Sequence, residues 1–345
     1  MKLAVIGANG QVGTELCFLL RENVDLIPIV RNRLGAIFLK HNGFKCRIAD
    51  ISQEKDAEEN LRDIDVVVIA AWAVDPLSGS QNQISKTINE KLIKNSVRFS
   101  SENAIIIYMS TIRAFAHKVD PTTSRFWPPR YDKEKQYLER VMLSECRKRR
   151  KRGYPLRIGH VYGENQGSTK KIKKILSSKK ILIQASPESK SNVVHTVTLK
   201  DAILKCTQPE VKPRVYSVVN HPQWNWKDVF EYYNKKTQIE FKPPTPISRN
   251  TNDFFWKILK SNRKYIIPIL DHLPRRFEKN ILRKRSMKKI QLEISMLKDE
   301  ETVSSEDFGY KPIPGPFLPG LAETGELLKK CSLEVFNIPT ENNMP

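Results

Sequence analysis

A chain of 345 residues with 39% apolar content can bury a substantial core, and it suits one large α/β domain with an appended lobe better than a string of modules. No apolar run is long enough to span a bilayer and the chain opens directly in a strand, without the regions of a secretory signal, so a cytoplasmic location is expected. Five scattered cysteines (Cys17, Cys46, Cys146, Cys206 and Cys331) form neither a disulfide framework nor a metal-ligand spacing, and the net charge of +21 bears on partners rather than on fold.

Lys2 to Ile6 reads as a buried strand that runs into Gly7-Ala8-Asn9-Gly10-Gln11-Val12-Gly13 and a helix from Val12 to Arg21. Glycine supplies the positive φ angles and the absent side chain that so tight a turn requires. Backbone N–H groups along Gly7, Asn9, Gly10, Gln11, Val12 and Gly13 can then face a pyrophosphate at the positive end of the helix dipole. The spacing is Gly-x-x-Gly-x-x-Gly, a variant of the commoner G-x-G-x-x-G fingerprint. A second strand, Asp25 to Val30, completes a βαβ unit of the expected length.

Helices are expected near Leu34–His41 and Glu54–Arg62, and strands at Phe44–Ala49 and Val66–Ala71. Ile88, Leu92, Ile93 and Val97 repeat at helical spacing within Ser85–Phe99, and Ala104–Met109 is a continuous apolar strand. Fully apolar strands alternating with helices imply a parallel sheet covered on both faces. A long helix over Pro128–Arg147 leads to a strand at Pro155–Ile158. Beyond Tyr162 the alternation loosens. A helix is expected near Lys170–Leu176, strands near Ile181 and at Val193–Val197, a helix at Leu199–Cys206 and a strand at Val215–Val219. Asn225 caps a helix over Trp226–Tyr233, Gln238–Asn252 reads as a loop, and Phe254–Met296 as mostly helical with breaks at Pro268 and Pro274. The tail after Val303 is expected to be extended.

Tyr131 and Lys135 stand four apart and so project from one face of the long helix. Free tyrosine titrates near pH 10, so a nearby cation is what would make it an acid or base at neutrality. Strand five ends in Ser110 and Thr111, two hydroxyl residues of the kind that strand-end turns favour. His160 and His195 fall in no metal-ligand spacing and are expected to be structural or close to a cofactor. At the end of strand two an acid would bind a ribose 2′-OH and an arginine a 2′-phosphate. Here Val30-Arg31-Asn32-Arg33 has no acid, which favours NADP over NAD with Arg31 the better placed contact.

The glycine turn, the Tyr131–Lys135 pair, Leu156-Arg157-Ile158-Gly159-His160-Val161-Tyr162-Gly163, Val194-His195 with Asp201-Ala202, and Val215 to Asn220 together resemble extended short-chain dehydrogenase/reductases, the NAD(P)-dependent epimerase/dehydratase group. The likeness spans about residues 1 to 235. It implies an α/β fold: a doubly wound parallel (Rossmann) sheet with a smaller, mainly helical C-terminal substrate lobe. The expected divisions are a dinucleotide-binding domain over 1–165, to which 190–235 partly returns, a substrate lobe over 166–303 with a basic helical segment at 254–296, and a Pro-containing tail over 304–345.

By the same resemblance, Tyr131 transfers the hydroxyl proton, Lys135 holds the nicotinamide ribose and depresses the tyrosine pKa, and Thr111 orients the carbonyl, with Ser110 the second choice. Asp50 reaches the adenine edge, Ala70 and Ala71 let the adenosine approach strand four, and Asn89 matches a helix asparagine found across the group. Relatives that perform 4,6-dehydration follow the threonine with an Asp-Glu pair. Thr111-Ile112-Arg113 lacks it, which leaves epimerisation through a transient ketone, or net reduction or oxidation.

A basic lobe suits an anionic substrate such as a nucleotide-linked sugar. The basic run Arg147–Arg152 reads as a solvated helix end. Lys257–Ile290 carries apolar positions among its cations, so it reads either as a solvated helical face or as an amphipathic contact with an acidic membrane surface. Nucleic acid is not expected as a partner, since no recognition motif accompanies the charge. Relatives are often dimers through paired helices, for which the Tyr131 helix is the candidate. A catalytically silent NADP-binding protein with a basic RNA- or membrane-binding surface is the alternative reading.

Overall fold

The computed structural model describes residues 1–74, 82–115, 129–176, 180–184, 186–234, 238–242, 302–303, 315–321 and 323–330. The expected basic helical segment of 254–296 lies outside them, as does most of the tail.

The N-terminal half alternates strand and helix: β1 Lys2–Ile6, α1 Gln11–Leu20, β2 Asp25–Val30, α2 Arg33–His41, β3 Arg47–Ile48, α3 Glu54–Leu61, β4 Val66–Ile69, α4 Gln83–Phe99 and β5 Ile105–Thr111. A 3-10 turn, Ile112–Phe115, follows, and then α5 Pro129–Lys148, β6 Arg152–Ile158 and β7 His160–Tyr162. The remaining elements are α6 Gly167–Ile175, β8 Lys180–Gln184, β9 Val193–His195, α7 Thr196–Thr207, β10 Tyr216–Val218, α8 Trp226–Tyr233, β11 Gln238–Lys242, β12 Thr302–Val303 and α9 Thr324–Lys330.

Seven parallel strands form the central sheet in the order β10-β6-β5-β4-β1-β2-β3. This is a doubly wound sheet, and its order reverses between β1 and β4. The carboxyl ends of strands at such a switch point leave a crevice. Apolar side chains pack on both faces of the sheet. One face joins Leu3, Val5 and Val68 to Leu16 and Leu20 of α1 and Ile203 of α7. The other joins Ile6, Val67 and Ile106 to Leu92 and Val97 of α4 and Leu138 and Met142 of α5.

Two smaller sheets lie beyond: β7 with β9, and β11-β8-β12. Expectation and structure part at several points, each for a local reason. The strand expected over Val193–Val197 stops at His195, because the His195 side chain caps α7 by accepting from the Val197 N–H at 3.3 Å. Gln238–Lys242, expected as loop, is a strand: its Ile239 and Phe241 alternate onto a separate apolar cluster that includes Trp226, Val229 and Phe230, where the Phe241 ring meets Phe230 at 6.1 Å. The tail is not extended throughout. Residues 315–321 cover the sheet edge at β10, with Ser217 N–H donating to Pro316 O at 2.8 Å and Leu318 buried in the main core, and 324–330 turn into α9. Asn225 does cap α8, accepting from Asp228 N–H at 2.8 Å in a reciprocal capping box.

The basic run after α5 is only partly solvated. Arg147, Lys148, Arg149 and Arg150 are exposed, but Lys151 donates to Val97 O at 2.7 Å and Ser100 O at 2.9 Å. A cation among the last carbonyls of α4 satisfies acceptors that the helix itself leaves open. Arg152 donates to the Tyr154 hydroxyl at 2.6 Å and to Cys206 O at 3.2 Å.

Candidate active site

The glycine turn is shaped by contact as well as by backbone angle. Gly7 has φ +83°, and a Cβ there would lie 2.7 Å from the Cα of Ala71. A Cβ on Gly13 would collide with the Gly7 carbonyl oxygen, so α1 is drawn against the strand end. Gly10 is the N-cap and makes no side-chain cap, and no acid stands in the first turn of α1. Gly10 thus offers no side chain to the amides of the first turn, and no acidic side chain stands there to repel an anion. An uncapped helix start beside a glycine turn fits the pyrophosphate of a dinucleotide. Thr14 steadies the turn by donating to Ala8 O at 2.9 Å.

Asn9 reaches the second strand's turn: its Nδ2 would sit 2.6 Å from a Cβ placed on Gly35. Asn32 caps α2 there through the Gly35 N–H at 2.8 Å, and Arg31 and Arg33 are exposed on either side. Asp50 accepts from Ser52 N–H at 3.0 Å and Ser52 Oγ at 2.7 Å, which closes the turn before α3. Ala70 continues from β4, its N–H donating to Ile6 O at 3.0 Å.

Asn89 is buried and grips the chain after β4. Its Oδ1 accepts from Ala73 N–H at 2.8 Å and its Nδ2 donates to Ala73 O at 3.0 Å and to Glu134 Oε1 at 3.3 Å. It thus acts on the segment after β4 and on α5.

Tyr131 and Lys135 lie on the face of α5 that meets the ends of β4 and β5. Lys135 Nζ donates to Met109 O at 2.9 Å, and the Tyr131 ring stands edge-on to Trp72 at 5.3 Å. Because Trp72 follows Ala71, which abuts Gly7, the glycine turn and the Tyr131–Lys135 pair border one region at the sheet's switch point.

Thr111 ends β5 and is half-buried, its Oγ1 accepting from Arg113 N–H at 3.2 Å. Ser110 points the other way. Its hydroxyl donates to Glu139 Oε1 at 2.5 Å in buried surroundings and is engaged there.

Electrostatics here differ from the sequence expectation in one respect. Burial pushes the Tyr131 hydroxyl up to about 12, with Asp132 adding to the rise and Arg113 opposing it. Burial brings Lys135 down to about 7, against the attraction of Glu139 and Glu134. The charged groups that act on the Tyr131 hydroxyl are Asp132 and Arg113, and Lys135 is not among them. His195 is held neutral by burial, at about 3, and serves as a cap.

Sequence reasoning missed Trp72, Tyr108, Arg113, Asp132 and Glu139. Glu139 was within reach of helical spacing, standing one turn after Lys135 and two after Tyr131. Nothing local in the sequence marks Trp72.

A family model for the NAD dependent epimerase/dehydratase family matches residues 3–218, well over half of the chain. The chain belongs to the NAD dependent epimerase/dehydratase family.

Solved structures similar in fold to this member of the family include UDP-N-acetylglucosamine 4-epimerase from Bacillus cereus, at 17% identity and TM-score 0.53 over 79% of this chain and 99% of that one. UDP-glucose 4-epimerase from Thermotoga maritima, solved with UDP-glucose, gives 18% and 0.52 over 78% and 100%. UDP-glucuronic acid 4-epimerase from Bacillus cereus, in complex with NAD, gives 18% and 0.53 over 70% and 86%. A comparison with curated proteins finds no match. Among the described residues no helix is long and apolar enough to cross a membrane.

Proposed function

We propose that this protein is an NAD(P)-dependent epimerase or reductase acting on an anionic, nucleotide-linked sugar or a related carbonyl or hydroxyl compound. The single observation that carries the reading is the junction at Ala71 and Trp72, which sets the glycine turn beside Tyr131 and Lys135. Similar solved structures include epimerases of UDP-sugars, which supports a nucleotide-linked substrate.

A nicotinamide, when bound, would supply hydride acceptance or donation. The chain's own residues handle the proton and the position of the reacting oxygen. With its hydroxyl raised to about 12, Tyr131 is protonated at neutral pH, so it can donate directly to a carbonyl oxygen as that oxygen gains charge. In the reverse direction the deprotonated Tyr131 oxygen, the form left by that donation and a minor one at neutral pH, takes the proton of the substrate hydroxyl. Thr111 Oγ1 is the hydroxyl at the end of β5 for orienting that oxygen. Lys135 would hold the nicotinamide ribose. Elimination lacks an acid pair next to Thr111, and Arg113 is paired with Asp132 at 3.4 Å.

Exposed Arg31 and Arg33, with no acid at the end of β2, favour NADP. The similar UDP-glucuronic acid epimerase was solved with NAD, and mass spectrometry of the dinucleotide released on denaturation decides between the two. A tightly retained dinucleotide points to an epimerase cycle and an exchangeable one to a reductase. Turnover of UDP-sugars should fall by about 100-fold or more in Tyr131→Phe. Full activity in that variant would sink the assignment of Tyr131. Salt-sensitive RNA retention without any dinucleotide would favour a silent binding protein instead.

A further inference from the structure

Lys135 is enclosed by aromatic rings. Its Nζ lies 4.1 Å from the ring centroid of Trp72, 4.7 Å from that of Tyr108 and 5.9 Å from that of Tyr131, while it donates to Met109 O. The residue is only 5% exposed. An ammonium over an aromatic face is attracted by the ring quadrupole, most strongly by indole, and the attraction grows when water is excluded. Trp72 is the nearest of the three rings and the only one carried outside β5 and α5.

The chain around Trp72 is fixed from both sides. Ala71 abuts Gly7 before it, and Ala73 is held through both backbone groups by Asn89 after it. The same indole meets the Tyr131 ring at an interplanar angle of 83°. One side chain therefore touches both members of the pair.

We propose that Trp72 is a positioning residue for the Tyr131–Lys135 pair, its indole holding the lysine ammonium and the tyrosine ring in fixed relation at the ends of β4 and β5. The inference rests on the reading of that pair as the reacting site.

The charged surroundings of Lys135 give the cage its importance. Glu134 and Glu139 face it from its own helix, but Glu139 is engaged by Arg157 of β6 at 2.7 Å and Glu134 accepts from Asn89. Tyr131 on α5 and Tyr108 on β5 are both raised by burial and stay protonated at neutral pH. With burial opposing the charge, the rings add to the support that Glu139, Glu134 and Met109 O give the ammonium form.

The test is a titration of Lys135 in the full chain, labelled with ε-¹³C lysine, with the resonance assigned by its absence in Lys135→Gln. In the native protein the Lys135 ε protons are expected upfield, shifted by the indole ring current, with a midpoint far below that of a solvated lysine. Trp72→Leu keeps the site apolar but removes the π face. Its expected result is loss of the upfield shift and a midpoint lower by about half to one pH unit. Trp72→Phe should restore part of both.

An unchanged or higher midpoint in the leucine variant would overturn the proposal, as would ε-proton shifts identical to those of the native chain. Should the leucine variant fail to fold, the phenylalanine variant decides alone: a smaller lowering with a reduced upfield shift supports the proposal, and no change overturns it. This readout needs no turnover. Absence of hydride transfer would overturn the proposed function and leave standing only the hold of the indole on Lys135 and Tyr131, which the titration reads separately.

Discussion

Gly7 illustrates how one residue can serve two demands at once. Its φ of +83° lies where an L side chain is strained, and a Cβ would also press into Ala71. Gly43 has the same φ of +83° but nothing within 4 Å of a Cβ. Comparing the two separates backbone strain from close approach. Gly43→Ala should cost about 1 kcal/mol through the backbone alone. Gly7→Ala should cost a further 1 to 3 kcal/mol, roughly, because the overlap must be relieved by moving β4 away from the turn. Urea unfolding followed by tryptophan fluorescence measures both. Equal losses at the two positions would mean that the Gly7–Ala71 contact does not limit the turn. The same contact carries consequences outward, since Trp72 and hence Lys135 follow directly from Ala71.

Among the elements, α5 is tied to the sheet by a buried carboxylate rather than by apolar packing alone. Glu139 Oε1 accepts from Ser110 Oγ and from Arg157 Nε at 2.9 Å, and its Oε2 accepts from Arg157 Nη2 at 2.7 Å. Removing one partner of such a pair leaves an uncompensated buried charge. Glu139→Ala is therefore expected to cost about 3 to 5 kcal/mol in urea unfolding, and Glu139→Ala with Arg157→Met to recover part of that loss. A loss under about 1 kcal/mol in the single variant would show that the pair does not hold the helix. Elements of this kind divide what was legible from what was not. The parallel sheet was readable because strands such as Val66–Ile69 are apolar on both faces, and α5 because its apolar residues recur at helical spacing. Tyr131 and Lys135 were readable because a helix sets residues four apart side by side. Ser110 and Thr111 were not separable, since successive strand residues face opposite ways and only the fold shows which face meets the core. The strand at Gln238–Lys242 was hidden for a related reason: its partner, β8, is distant in sequence and is what gives Ile239 and Phe241 something to pack against.

At the scale of the whole molecule, the sheet and the chain beyond β7 are joined through Glu15 of α1. It is fully buried, and its Oε1 accepts from Asn165 N–H at 2.8 Å and Gln166 Nε2 at 2.6 Å, while Oε2 accepts from Thr196 Oγ1 at 2.8 Å. Burial raises its pKa, and the three hydrogen bonds oppose the rise without cancelling it. A carboxyl whose folded pKa lies above its unfolded value binds more protons in the folded chain between the two. Stability then falls as pH rises through the folded pKa. Glu15→Gln removes the titration and keeps the shape. Its carbonyl oxygen can accept where Oε1 did, and the Thr196 hydroxyl can turn to accept from the new amide. The melting temperature of Glu15→Gln relative to the native chain should therefore become more positive from pH 5 to pH 8 in differential scanning fluorimetry. Glu15→Ala should instead lower it across the whole range, because Asn165 N–H and Gln166 lose their acceptor. A Glu15→Gln difference that stays flat with pH would mean the carboxyl titrates alike in both states, and the junction would then be held by hydrogen bonds whose strength owes nothing to the buried charge.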